Sequence, residues 1–199
     1  MNYIMINEKK IELTPEQVKE IEGICGSAQV KLADIEIGDT FKIGEREFIV
    51  LEHSEETTAV ILKDLLFESE EFGKNNNYDG SKVDNLCVDF GNEIEAIVGA
   101  GNLVEHTVDL IADDGLKCYG RIKRKMSLLT ATLYRRYVYT LDKFNPNKWW
   151  WLCTAFSTPV HEDGAWVKCV SPRGFIDRDF YGGGVRPFCI LKSNIFVSK

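Results

Sequence analysis

None of the six cysteines falls in a C-x-x-C pair, and no Cys/His cluster has zinc-ligand spacing, so neither a zinc knuckle nor a dithiol motif is legible. Cys25, Cys87, Cys118, Cys153, Cys169 and Cys189 are scattered, and each reads as a small apolar side chain. No apolar run approaches the roughly 20 residues that a membrane helix needs. The first ten residues lack the apolar run and cleavage site of a signal peptide, so the chain is expected in the cytoplasm. Gly182-Gly183-Gly184 is not followed by Lys-[Ser/Thr], which removes a phosphate loop. Histidine is sparse: His53, His106 and His161 stand far apart without an H-x-x-E-H pattern. Basic residues are in deficit, 24 against 31 acidic, and the net charge of −7 opposes general attraction to nucleic acid.

What is present suits one packed domain. The chain has 199 residues, 44% hydrophobic and 28% charged, enough for a single core with at most a small appended module. Residues 1–30 read as that module. Tyr3 to Ile6 and Lys10 to Leu13 form a hairpin, followed by a helix with Thr14 as cap, Pro15 in its first turn and Gln17 closing a capping box. Too small to bury its own apolar face, the module must dock on the main domain or a second copy, which makes a homo-oligomer conceivable.

Residues 31–199 read as the main domain. Ile37 to Ile43, Phe48 to His53 and Thr57 to Lys63 predict three antiparallel strands, and the polar stretch from Phe67 to Gly80 predicts a surface loop. From Ser81, apolar residues at three- and four-residue spacings (Val83, Leu86, Cys87, Phe90, Ile94, Ile97, Val98) predict a helix, with Gly91 weakening its middle. Leu103 to Leu110 and Met126 to Leu129 read as strands. A second helix starts after Thr130, with Tyr134 and Tyr137 inward. Further strands are Ala165 to Val170, Phe175 to Asp179, Val185 to Leu191, and an edge at Ile195 to Val197.

The heaviest signal is Trp149-Trp150-Trp151. Strand side chains alternate, so the three rings cannot share a face, and the second face must be covered by a loop or helix or offered to a ligand. Trp151-Leu152-Cys153-Thr154, then Gly164-Ala165-Trp166-Val167, then Gly174, then Gly184-Val185-Arg186-Pro187-Phe188 resembles the closing signature of the family called domain of unknown function 6273, found in bacterial and phage proteins. That family typically reads W-L-R-[ST]-P, A-x-x-V, a glycine turn and G-V-R-P-A, and the resemblance spans about residues 31 to 197. It implies an α+β, C-type lectin-like fold, shared with formylglycine-generating enzymes and variable phage receptor-binding proteins, with antiparallel sheets and two flanking helices. Cys153 stands where the family has arginine, so no role carries over to it. Arg186 does match, and its five donors suit tying loop carbonyls together. Trp150, Trp151, Trp166 and Arg186 are therefore the expected structural anchors.

Function is expected in the loops between those anchors. Phe156, His161, Asp177, Arg178, Phe180 and Tyr181 mix aromatic and polar groups on Phe156 to Asp163 and Phe175 to Gly183. The expectation is a non-enzymatic binding module, cytoplasmic or virion-associated, taking a protein or glycan partner and using no cofactor, metal or membrane. Two alternatives are weighed. The basic run Arg121-Ile122-Lys123-Arg124-Lys125 could occupy a nucleic-acid site. Cys153 and Cys189 could form the reactive pair of a formylglycine-type oxidase, though both lie in apolar runs. The acidic turn at Asp109, Asp113 and Asp114 lacks EF-hand spacing and reads as solvated rather than as a calcium site.

Overall fold

The computed structural model describes residues 3–6, 9–17, 29–161, 166–179 and 181–199. Strands β1 (Tyr3–Ile6) and β2 (Lys9–Glu12) pair as the expected hairpin. The capping box is formed: Thr14 N donates to Gln17 Oε1 (3.0 Å) and Gln17 N to Thr14 Oγ1 (3.2 Å). The rest of that helix and the docking of the module lie outside the described residues.

Strands β3 (Gln29–Lys31), β4 (Thr40–Ile43), β5 (Arg46–His53) and β6 (Thr57–Leu62) open the main sheet. The predicted Ile37 strand begins only at Thr40, because Gly38 turns the chain at φ +87°. β7 (Phe67–Glu70) replaces the first part of the predicted loop. The rest of that loop is not a surface loop throughout, since Phe72, Asn76 and Tyr78 are buried. Asn76 is spent on backbone and ring partners: its amide donates to the Ser157 and Trp166 carbonyls, and its Oδ1 accepts from the Tyr119 hydroxyl.

Helix α1 (Lys82–Val98) starts at a Ser81 cap that accepts from Asp84 N. Val83, Cys87, Phe90 and Ile94 face the core, while Ile97 is 58% exposed. Gly91 has a packing reason, because a Cβ there would lie 3.1 Å from that of Met126. Then come β8 (Leu103–Val104), β9 (His106–Asp109), β10 (Arg121–Arg124) and β11 (Met126–Ser127). Helix α2 (Ala131–Leu141) starts at Thr130, whose hydroxyl accepts from Leu133 N, and buries Tyr134 and Tyr137. The last strands are β12 (Trp150–Ala155), β13 (Val167–Val170), β14 (Ile176–Asp179), β15 (Gly183–Val185), β16 (Phe188–Lys192) and β17 (Phe196–Ser198). The predicted Val185 to Leu191 strand breaks at Arg186-Pro187, and β17 is no edge because it pairs with both β3 and β4.

One sheet has eight strands, ordered β11-β16-β6-β5-β4-β17-β3 with β8 on β16. The second is β14-β13-β12-β15-β7, antiparallel except for the β12–β15 pair. The whole is mixed α+β, mostly curled antiparallel sheets with few helices. The central strands β5, β12 and β13 are covered on both faces and read as near-continuous apolar runs, whereas β4, β7 and β14 keep exposed side chains. In β5, Phe48 and Val50 face one core and Ile49 and Leu51 the other. Each such side chain contributes about 1.5–3 kcal/mol on burial.

The tryptophan run follows the same alternation. Trp151 joins the first core with Phe48, Val185 and the α1 stripe, and packs edge-on against Phe72. Trp150 joins the second core with Ile49, Leu51 and Tyr134 of α2. The second face is thus covered by a helix. Arg186 is wholly buried beside it, donating from Nε to Leu62 O (2.9 Å) and from Nη2 to Lys63 O (2.8 Å) and Phe144 O (3.0 Å). Its guanidinium lies 5.2 Å from the Trp150 ring. Gly183 and Gly184 let β15 approach: a Cβ would meet the Trp151 ring at 3.0 Å and Leu65 Cδ1 at 2.5 Å.

Candidate functional site

The end of β12 and the edge of the second sheet assemble a ladder of cations and rings. Lys168 on β13 sits directly opposite Arg178 on β14. Two like charges so placed repel unless something intervenes. Phe156 supplies that intervening surface, with Lys168 Nζ 5.2 Å and Arg178 Cζ 4.3 Å from its ring centre. Arg178 also lies 4.9 Å from the Trp166 ring, and Phe156 N donates to Trp166 O. Lys168 is held from the other side by Asp113 at 3.2 Å, which Arg135 of α2 also approaches. A cleft of about 400 Å³ adjoins this point, lined by Asp113, Thr130, Thr132, Arg135 and Thr154 among others.

The acidic turn is a clasp on the Phe156 loop. Asp114 Oδ2 accepts from Thr158 N, the Thr158 hydroxyl and His161 Nδ1, and Oδ1 accepts from Leu116 N. Burial pushes that carboxyl up, but the four donors outweigh it and hold it below the usual range. Asp109 pairs with Arg121. Its oxygens are thus engaged by protein donors, and no group of three or more His, Cys, Asp or Glu side chains converges among the described residues.

Of the expected ligand residues, Phe156 and Arg178 meet in the ladder, and His161 joins through Asp114. Asp177 is exposed and accepts from Arg178 N, with its Cα opposite Cys169. Tyr181 is 76% exposed, and its N donates to Asp179. Phe180 lies outside the described residues. Val160 and Phe175 are also exposed. Lys168 was missed in the sequence. Its signal was a lone cation inside Val167-Lys168-Cys169-Val170, where every other side chain is apolar.

The competing chemistries find less to work with. Each cation of the basic run has an acidic partner: Arg121 with Asp109, Lys123 with Glu105 at 4.0 Å, Lys125 with Glu95, and Arg124 with Asp79 and Asp84. Asp84 is buried, and Arg124 grips it from Nε at 2.9 Å and Nη2 at 2.7 Å. Phosphates would have to displace these carboxylates. Cys153 and Cys189 are on β12 and β16, in different sheets, and burial pushes both thiols well up. His106 Nε2 is 3.0 Å from Ser127 Oγ, a pair that sequence separation hid, but Ser127 is buried and offers no approach to a substrate. Among the described residues no helix is long and apolar enough to cross a membrane. Compared with models of known protein families, with curated proteins and with solved structures, the chain matches none.

Proposed function

We propose that this chain is a binding module of the domain of unknown function 6273 kind, with a C-type lectin-like scaffold, which captures a partner protein at the loop face around Phe156 and Arg178. The carrying observation is the Lys168–Phe156–Arg178–Trp166 ladder at a sheet edge, flanked by exposed Val160, Phe175 and Tyr181. Tryptophan, tyrosine and arginine are the side chains that most often anchor interfaces, because they combine large area with directed polar contacts. Here the rings are braced by strands β13 and β14, so less ordering is required on binding.

Affinity capture from lysates of the producing cells tests this, comparing the native chain with Arg178→Ala and Tyr181→Ala. A specific partner retained by the native chain and lost from both variants is the expected result. No specific partner, or equal capture by all three, overturns the proposal.

A further inference from the structure

Two of the three consecutive tryptophans are spent on the cores, and Trp149 is not. It stands 37% exposed in a cleft of about 390 Å³, lined by Glu68, Ser69, Asn147, Lys148 and Gly183 among others. Its backbone is fixed, since Trp149 O accepts from Gly184 N at 2.7 Å. Asn147, two residues before it, is the one non-glycine residue with positive φ among the described residues, at +55°. Such backbone strain is tolerated where the surroundings enforce it, and it sets the path of the wall that presents Trp149. On the opposite side, a Cβ at Gly182 would lie 3.0 Å from Ser69 Oγ, so that wall is bare backbone.

The chemistry of the lining is specific. Lys148 Nζ lies 2.6 Å from the Glu68 carboxylate, so the two charges cancel and the cleft attracts neither an anion nor a cation by net charge. Glu68 can only accept hydrogen bonds, Lys148 can only donate, and Asn147 and Ser69 do both. One aromatic plane among groups of both kinds matches a ligand with an apolar C–H face and a ring of hydroxyls that both donate and accept. We infer that the Trp149 cleft binds a neutral saccharide, one pyranose ring lying on the indole with its hydroxyls bonded to Ser69, Asn147, Glu68 and Lys148. The site differs from the Phe156–Arg178 face, so either assignment can fail without the other.

Calorimetric titration with maltotriose, cellotriose and chitotriose, alongside glucuronate as a charged probe, provides the test. At least one neutral sugar should bind the native chain saturably at millimolar concentrations or below. Trp149→Ala should weaken that binding by about tenfold or more, Trp149→Phe by less, and Arg178→Ala should leave it unchanged. Ser69→Phe, which crowds the cleft from exposed strand β7 and keeps Trp149, should also abolish it. The inference is overturned if no neutral sugar binds, if glucuronate binds more tightly than all of them, or if Ser69→Phe and folded Trp149→Ala both bind as the native chain does.

Discussion

The two cores on opposite faces of the sheets are equally dry but unequally satisfied. In the first, Trp151 Nε1 donates to Glu70 O at 2.8 Å, the Tyr78 hydroxyl accepts from Leu128 N at 3.1 Å, and Asn76 uses both ends of its amide. In the second, polar atoms are left over. Among the described residues, four buried side-chain atoms lack a hydrogen-bond partner, and all four border that core. Trp150 Nε1 is inside it, Arg186 Nη1 belongs to the guanidinium beside Trp150, and Asn145 Oδ1 follows Phe144, which packs on it. His106 Nδ1 belongs to a ring set edge-on to Phe188, and the Val104 carbonyl beside it acts on the ring's charge without meeting hydrogen-bond geometry. Each such atom costs about 1–3 kcal/mol of lost solvation. The half of the molecule under α2 therefore carries the larger polar burial cost and is expected to be the softer half.

The largest test of that contrast is Arg186→Ala. The change strips three carbonyls of their donor and opens a cavity beside Trp150, and it should cost about 3–5 kcal/mol in urea denaturation. Arg186→Met fills more of the space without burying a charge and should cost less than Ala. Equal losses for the two would mean that the carbonyl clamp, not the packing, carries the effect.

Acid should find the second core first. Burial pushes the His106 imidazole down to about 4, helped by Lys123 and opposed by the Val104 carbonyl and Glu105. Between the ordinary value of 6.5 and about 4, the unfolded chain takes up a proton that the folded ring refuses. Stability therefore falls as the pH is lowered through that window, by at most about 1.4 kcal/mol per pH unit and about 3 kcal/mol in all. His106→Gln keeps a partner for Ser127 and removes the titration. Denaturation at pH 7 and pH 5 should show the native protein losing about 1–2 kcal/mol more than the variant. Equal losses would free His106 from the contrast.

Much of this architecture was legible because it is local. The Thr14–Gln17 box, the Ser81 and Thr130 caps, the alternation at Trp150-Trp151 and the turn at Ser171 to Gly174 each depend on a few neighbouring residues. What escaped depends on partners far along the chain. Asn76 sits in a polar run that reads as solvent-exposed, yet its partners are Tyr119, Ser157 and Trp166. β17 reads as an edge until β3 and β4 pair with both its sides. The ladder was half visible: Phe156 and Arg178 stood out by type, whereas Lys168 and Asp113 acquire their place only through the β13–β14 register and the fold of the acidic turn. The ion pairs of the basic run were hidden for the same reason, since its carboxylates come from α1, β9 and the segments around Asp79 and Glu105.

The smallest test is also the most direct, because Trp150 and Trp151 are adjacent, equally buried and of one chemical type. Replacing either with phenylalanine removes a similar volume from a packed core and loses a similar transfer energy. The remaining difference is the indole N–H. Trp151→Phe leaves Glu70 O without its donor, whereas Trp150→Phe deletes a buried donor that had no acceptor and leaves a ring beneath Arg186. Trp151→Phe should therefore be the more destabilising by about 1–2 kcal/mol in paired urea titrations. If the two variants lose the same stability, Trp150 Nε1 is satisfied in solution, and the second core is no softer than the first on its account.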